Sequence, residues 1–484
     1  MSIIAPQNQK LFNIEQKFAK SFYIFFSITE AIIISAYLLV KYPESFYGLS
    51  DIYQTFSFDK EYYKYFDISI NILIFVIVGF GFKYMYLKYL HLTSLCMIFV
   101  VATLSFQFYV LCSEIWEKIW VGTWKTATIL TYKNLISEMK CSSAIIISLG
   151  ALIVQIDHFQ IIVVCLIEAL IFSANEAIIF RQFGMRDSGG ASYIHIFGAY
   201  FGVSASILYS KSKNHFSSLQ YSSSTSSGVL SFLGALFIWI FFPSFNSVNP
   251  NHLYQAKITY NNMFLSIINT YYSLIASTIT SFIFTLILNR GKINYIHILN
   301  ASISGGTIIA ACSDMLTLPF IALLLGSISS VLSILFYEFG GALLRKCNIS
   351  DTMNILSFHG INGILSVIAS MITLKYFPVN TFEDGITIYN DFYVYDRSVS
   401  AQIKYQAFGG LCSLGCGILG GLLSGLLLKL WKHNISENEF FIDYAFFVLD
   451  MDSFNNLPEP QREIIKINSN EGLIFESKRI VSLK

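Results

Sequence analysis

Charge is scarce in this sequence. Asp, Glu, Lys and Arg make up 13% of its 484 residues, about half the share usual in soluble domains, and 54% of the residues are hydrophobic. So little charge cannot coat a large globule with solvated groups, which excludes an ordinary soluble protein and leaves an integral membrane protein. An excess of either sign is also missing. The 31 basic side chains nearly cancel the 30 acidic ones, so nucleic acid is not an expected partner. Cysteine is sparse, and Cys96, Cys141, Cys165, Cys312, Cys412 and Cys416 lie in apolar runs without metal or redox spacing, as small packing residues. P-loop, nucleotide-binding, HExxH and CxxC motifs are all lacking, so the sequence points to no cofactor, no enzymatic activity and no energised pump domain. Finally, no small-residue cleavage site follows the first apolar run, which favours a retained span over a removed signal peptide.

Long apolar runs are abundant. A bilayer core of roughly 30 Å needs about 20 helical residues, and twelve runs qualify, near 22–40, 68–87, 92–112, 141–156, 159–180, 190–209, 227–243, 263–288, 296–312, 316–338, 355–376 and 405–430. The breaks at Lys88–His91 and Asp157–His158 leave room only for tight helical hairpins. An even count puts both termini on one side, and Lys10, Lys17 and Lys20 mark that side as cytoplasmic. Lys211, Lys213, Arg290, Lys292, Arg345 and Lys346 agree, whereas Lys118, Lys125, Lys133, Arg181 and Arg186 fall on the other side. The expected layout is a cytoplasmic N-terminus (1–21), a twelve-span domain (22–432) and a cytoplasmic tail (433–484), with a flexible loop at 211–227 around "SSSTSS".

One spacing occurs twice. Asp187 precedes His195 by eight residues, and Asp351 precedes His359 by eight. Five spans separate the two helices, so they run in opposite directions, as in inverted-repeat transporters. Eight helical residues rise about 12 Å, which puts each Asp near its own membrane surface and each His near the centre. If the two spans pack together the imidazoles meet, and two neutral rings sharing an N–H···N bond keep a donor or acceptor for a small uncharged solute. Desolvation disfavours the charged forms. Asp187 and Asp351 read as helix N-caps, and Asp187 is placed to attract a cation as well. His297, in "YIHILN", reads as a packing residue satisfied by a carbonyl. Gly198 and Gly202 form one GxxxG, and Gly417, Gly421 and Gly425 two more, all signs of close helix approach.

At these residues the chain resembles the Rh glycoproteins of the ammonium transporter/Rh family. "SANEAIIFRQFGMRDSGGASYIHIFGAYFG" is similar to the family's fifth-helix signature and "SDTMNILSFHGINGIL" to its second histidine motif. "FIWIFFPSFNS", "NTYYSL", "YIHILNASISGG" and "DMLTLPFIALLLG" follow in family order, and "ISENEFFIDYAFF" resembles its post-membrane segment. The extra first span is similar to Rh proteins rather than to the eleven-span bacterial transporters. The resemblance implies an all-α membrane fold of twelve helices with an inverted five-plus-five repeat, a homotrimer embedded in lipid in the plasma membrane, and one apolar pore per subunit. It implies that His195 and His359 are the pore pair, Asp187 the family's Asp and Phe245 the outer gate, although alone Phe245 reads as an interfacial anchor. Glu176 aligns with a vestibule glutamate that concentrates ammonium; its other reading is an ion pair with Arg181.

Two positions depart from the pattern. Lys140 stands where a second gate Phe is expected, so that the alignment slips, the lysine snorkels away, or the gate has one aromatic. Asn362 replaces the proline of the second histidine motif, which is expected to straighten the helix and shift His359. The function implied is passive conduction of ammonia, with ammonium deprotonated at the vestibule. Electrogenic ammonium transport, carbon dioxide conduction and a non-conducting sensor or scaffold are the alternatives. A histidine-bound metal enzyme is the weakest, because two imidazoles without a third ligand hold metal poorly.

Overall fold

Away from water a chain must satisfy its own backbone N–H and C=O groups, so the apolar runs become helices. The computed structural model describes residues 6–41, 66–88, 90–122, 124, 128–130, 132–209, 223–249, 260–376, 397–430, 443 and 447. Of the expected loop at 211–227, residues 211–222 lie outside the described residues, and its end is helical instead, because Ser224 caps a helix that begins at Thr225; the tail apart from Asp443 and Phe447 also lies outside the described residues. In chain order the described helices are α1 Pro6–Ala36, α2 Phe66–Tyr86, α3 His91–Val121, α4 Tyr132–Leu152, α5 His158–Gln182, α6 Ala191–Tyr209, α7 Thr225–Ser247, α8 Tyr260–Leu288, α9 Tyr295–Ile308, α10 Pro319–Lys346, α11 Leu356–Tyr376 and α12 Val399–Leu430. Among the described residues the only sheet is a two-residue parallel pairing of Val40–Lys41 with Thr128–Ile129.

Eleven of these helices are long and apolar enough to cross a membrane. The other, α9, has 14 residues and stops before the expected 312. Its continuation turns because the Ala310 carbonyl accepts from Gly189 N (2.7 Å) and Ser188 Oγ (3.2 Å), while Asp314 is paired with Arg186 (3.0 Å). Arg186, expected in an outer loop, is therefore buried. At the start of α4 the helix begins nine residues before the expected 141, so Lys140 lies within it rather than ahead of it. The first apolar run, expected from 22, belongs to a helix that begins at Pro6.

Position in the bundle follows side-chain type. α1 exposes Ile24, Ile28, Ile32 and Ile34 and touches its neighbours through Phe25 on Phe159 (4.1 Å between centroids) and Glu30 accepting from Gln107 (3.1 Å). α6 sits at the centre, clamped by glycines on two sides. Added Cβ atoms at Gly198 and Gly202 would meet the Ala144 and Ser148 carbonyls of α4 at 2.4 and 2.2 Å. On the other side, Cβ atoms added at Gly417, Gly421 and Gly425 of α12 would meet the Phe197, Phe201 and Ala205 carbonyls at 2.7, 2.2 and 2.4 Å. Of the cysteines, Cys112, Cys141, Cys165 and Cys312 are buried, whereas Cys96 is exposed and does not serve as core packing.

Candidate conduction site

Both histidine helices start the same way. Asp187 Oδ1 accepts from Gly190 N (3.0 Å) and Ala191 N (2.7 Å), and its Oδ2 from Ser192 N and Ser192 Oγ (both 2.8 Å). Asp351 accepts from Ile355 N (2.7 Å) and Leu356 N (3.0 Å). Each carboxylate thus satisfies helix N–H groups that have no intrahelical partner. Two residues after each Asp the backbone is tied to a helix C-terminus: Gly189 N donates to Ala310 O beyond α9 (2.7 Å), and Met353 N to Gly150 O of α4 (2.9 Å). α6 and α11 are antiparallel, since Ser206 Oγ donates to Ser350 O (3.0 Å) at one end while Gly363 lies against the Ala191 carbonyl at the other. These paired contacts fit an inverted repeat in which α4 corresponds to α9 and α6 to α11.

Each helix then widens into a π-helical turn that carries its histidine, Ala191–Ile196 for His195 and Leu356–Gly360 for His359. Such turns are uncommon and concentrate at functional sites. In α11 the Asn362 amide donates to Ser357 O (2.9 Å), five residues back, so the asparagine accompanies a widened helix and not the straight one expected.

The two imidazoles meet. Their centroids are 4.8 Å apart and their planes differ by 7°, and both side chains are buried. The expected N–H···N bond is not made, because stacked rings present faces to one another and not nitrogens. Neither ring nitrogen of His195, nor Nε2 of His359, has a hydrogen-bond partner among the described residues, while His359 Nδ1 has a long contact with Thr307 Oγ1 (3.5 Å). Buried polar atoms in native proteins are nearly always satisfied, so nitrogens left open in a stacked pair are set apart from a packing histidine with both nitrogens engaged elsewhere in the bundle. That one, His297, contacts Thr285 Oγ1 (2.9 Å) and Glu338 Oε1 (2.7 Å), a hydroxyl and a carboxylate in place of the expected carbonyl.

Phenyl rings border the pair. Phe245 is wholly buried, so it is no interfacial anchor. It stacks on Phe75 (4.4 Å, 21°) and stands 6.3 Å from the His195 ring. Phe242 lies 5.9 Å from His195, and on the other side Phe80 lies 6.1 Å and Phe358 4.1 Å from His359. Phe75, Phe80 and Phe358 carry no local signal in the sequence that separates them from the other phenylalanines among 44. The ring stacked on Phe245 is thus Phe75 of α2, and not a residue at position 140 of α4.

Lys140 does not snorkel. It is fully buried, its Nζ lies 3.8 Å from the Phe245 ring centroid, and it donates to the Phe245 carbonyl (2.6 Å). A second buried lysine, Lys83 of α2, donates to Asn300 Oδ1 (2.7 Å) and lies 4.6 Å from the Phe358 centroid. Glu176 accepts from Tyr109 OH, and Arg181 forms an ion pair with Glu117.

Comparison with known proteins agrees with this architecture. The model of the Ammonium Transporter Family matches residues 33–441. The rat ammonium transporter Rh type B is 32% identical over 375 residues, 77% of this chain and 80% of the relative. The rabbit ammonium transporter Rh type C is 31% identical over 395 residues, 80% of this chain and 81% of the relative. In fold, the chain is similar to the solved structure of Rh50 from Nitrosomonas europaea, with a TM-score of 0.67 at 21% identity, covering 84% of this chain and 97% of that one. Saccharomyces cerevisiae Mep2 gives a TM-score of 0.59 at 14% identity, covering 80% and 86%. With a family match over most of its length and Rh relatives above the 30% level, this multi-pass membrane chain belongs to the ammonium transporter family, as a member of its Rh-type transporters and channels.

Proposed function

We propose that the protein conducts ammonia passively along the His195–His359 pair, with ammonium losing its proton at the vestibule before entry. The observation that carries this reading is the stacked pair itself, buried at the meeting of two antiparallel helices with three of its four ring nitrogens unengaged among the described residues. A permanent ion at such depth costs several kcal/mol or more, whereas neutral ammonia gives up only hydrogen bonds that open imidazole nitrogens can replace. The apolar rings of Phe245, Phe242, Phe80 and Phe358 favour the same species. Phe245 over His195 serves as the gate on that side, with Phe75 as its partner ring. Asp187 acts by holding the α6 terminus, and hence His195, in place, and Glu176 draws ammonium to the vestibule.

The working unit is a homotrimer with one path per subunit. It sits in the plasma membrane with the segments 1–21 and 433–484 cytoplasmic and the twelve spans of 22–432 between them. The test is the internal pH of proteoliposomes after an external ammonium step. Alkalinisation faster than in empty vesicles, without membrane current and lost in a His195→Ala, His359→Ala double variant, is the expected result. A current that follows the ammonium step would instead establish electrogenic transport. A folded protein with no flux above empty vesicles would leave the sensor or scaffold reading.

A further inference from the structure

Lys140 and Lys83 have no role in the path described so far, yet both sit on it. Lysine is almost never fully buried unless paired, and neither of these has a carboxylate at ion-pair distance among the described residues. Each instead meets an aromatic face and one carbonyl-type oxygen. Lys140 Nζ is 3.8 Å from the Phe245 centroid and 2.6 Å from the Phe245 carbonyl. Lys83 Nζ is 4.6 Å from the Phe358 centroid and 2.7 Å from Asn300 Oδ1. A ring face and an oxygen acceptor are the groups that recognise a small N–H-bearing cation in an apolar site.

The placement is two-fold in character. Phe80 and Lys83 are three apart on α2, as Phe242 and Phe245 are on α7, and Phe80 faces His359 as Phe242 faces His195. The partner of Phe245 comes from α4 (Lys140), and the partner of Lys83 comes from α9 (Asn300), the helix that corresponds to α4. One primary amine therefore stands on a ring at each end of the series Phe245, His195, His359, Phe358.

We propose that Lys140 and Lys83 are tethered occupants of two ammonium-recognition positions, one on each side of the histidine pair, so that the path refuses ammonium and alkylammonium ions and passes only neutral molecules. The inference rests on the reading of His195 and His359 as the conduction path. Each lysine head group offers the same N–H donors as ammonium to the same acceptors, but its chain holds it at an effective concentration that a free ion cannot match. An arriving ion is turned back outside Phe245, where it must give up its proton to proceed. The bland alternative is that the lysines only fill space and pin the rings.

The experiment uses the full chain in proteoliposomes, with ammonia-driven alkalinisation and ammonium-evoked current as readouts and methylammonium as the competing probe, added outside or trapped inside. For the wild type the expected rate follows ammonia concentration and ignores methylammonium on either side. Lys140→Met keeps side-chain volume without the amine; its flux is expected to saturate with total ammonium and to fall about tenfold when methylammonium is present on one side, in keeping with the affinity a ring and an acceptor give a cation. Lys83→Met is expected to do the same for methylammonium on the opposite side, and the double variant to carry a current. If a Met variant elutes aggregated, Lys140→Gln and Lys83→Gln, which keep a polar amide but no terminal amine, take its place with the same expectation. Folded variants that ignore methylammonium and carry no current would overturn the inference and leave a packing role. The conduction reading is judged separately, by wild-type flux and its loss in the double histidine variant. If the wild type proves silent, flux gained on removing the lysines supports them as occupants, and continued silence removes both readings.

Discussion

Gly190 and Asn354 hold the same place in the two halves of the channel. Each is the third residue after a capping aspartate, and each has a left-handed backbone, with φ of 86° and 58°. The chain must reverse direction there so that Asp187 or Asp351 faces the next N–H groups. Gly190 is also crowded, because an added Cβ would lie 2.3 Å from Ile194 Cδ1, one residue before His195. Gly190→Ala is therefore expected to destabilise the protein by about 1–3 kcal/mol, read as a lower Tm of the detergent-solubilised protein, with slower ammonia flux. Asn354→Gly relieves strain at the symmetric site and should change stability by no more than about 0.5 kcal/mol. Equal effects from the two substitutions would show that the turns are not equivalent.

Much of this was legible because it is repeated. The Asp-to-His spacing survives in sequence because a capped start and a histidine two turns later are local, within one helix each. Helices followed from apolar runs for the same reason. What was not legible depends on pairs of helices distant in sequence. Phe75 meets Phe245 across 170 positions, and Lys140 turns inward only because the Phe245 carbonyl of α7 is there to accept from it. Ring stacking instead of an N–H···N bond follows from how α6 and α11 cross, and the early end of α9 from the claim that Gly189 and Ser188 make on the Ala310 carbonyl.

The glycine clamp on α6 predicts a sharp positional contrast. Gly421→Leu drives a side chain into the Phe201 carbonyl, whose oxygen is 2.2 Å from the position of an added Cβ. A backbone atom cannot swing aside, so α12 must separate from α6, and the expected outcome is loss of the folded protein's peak on size exclusion. Gly415, on the same helix, has nothing within 4 Å of its added Cβ. Gly415→Ala should be neutral or stabilising by up to about 1 kcal/mol, through helix propensity alone. A folded, conducting Gly421→Leu protein would contradict the close approach.

Asp187 allows capping to be separated from charge. Its four hydrogen bonds use both carboxylate oxygens. Asp187→Asn keeps one good acceptor and exchanges the other for a donor facing Ser192 N–H, whereas Asp187→Ala removes both. If the residue works by holding α6, thermal stability and flux should fall together, with Ala worse than Asn by about 1–2 kcal/mol. A direct electrostatic pull on ammonium would instead show as equal loss of flux in both variants, without the matching order in Tm.

The last prediction concerns Asp443, beyond the final span. Its Oδ2 accepts from His91 N (2.8 Å) and Leu92 N (3.0 Å), and its Oδ1 from Thr93 N (2.8 Å), so this carboxylate caps the start of α3 from more than 340 residues away. The first N–H groups of a helix point at it and the helix dipole favours its charge. Leu90, the residue that opens α3, supplies no side-chain cap of its own, which leaves that work to Asp443. Asp443→Ala should therefore release this point of the chain from α3 at a cost of about 1–2 kcal/mol. The measure is limited proteolysis of the reconstituted protein: cleavage after the last span should quicken in the variant, while Asp443→Glu, which keeps the carboxylate on a longer arm, falls between. Because the cap anchors the helix that also supplies Tyr109 to Glu176, flux measured on the same vesicles tells whether the contact merely fastens the chain or reaches the vestibule. Cleavage that quickens with flux unchanged assigns Asp443 to fastening alone, and a parallel fall in flux couples the segment beyond the membrane to the path.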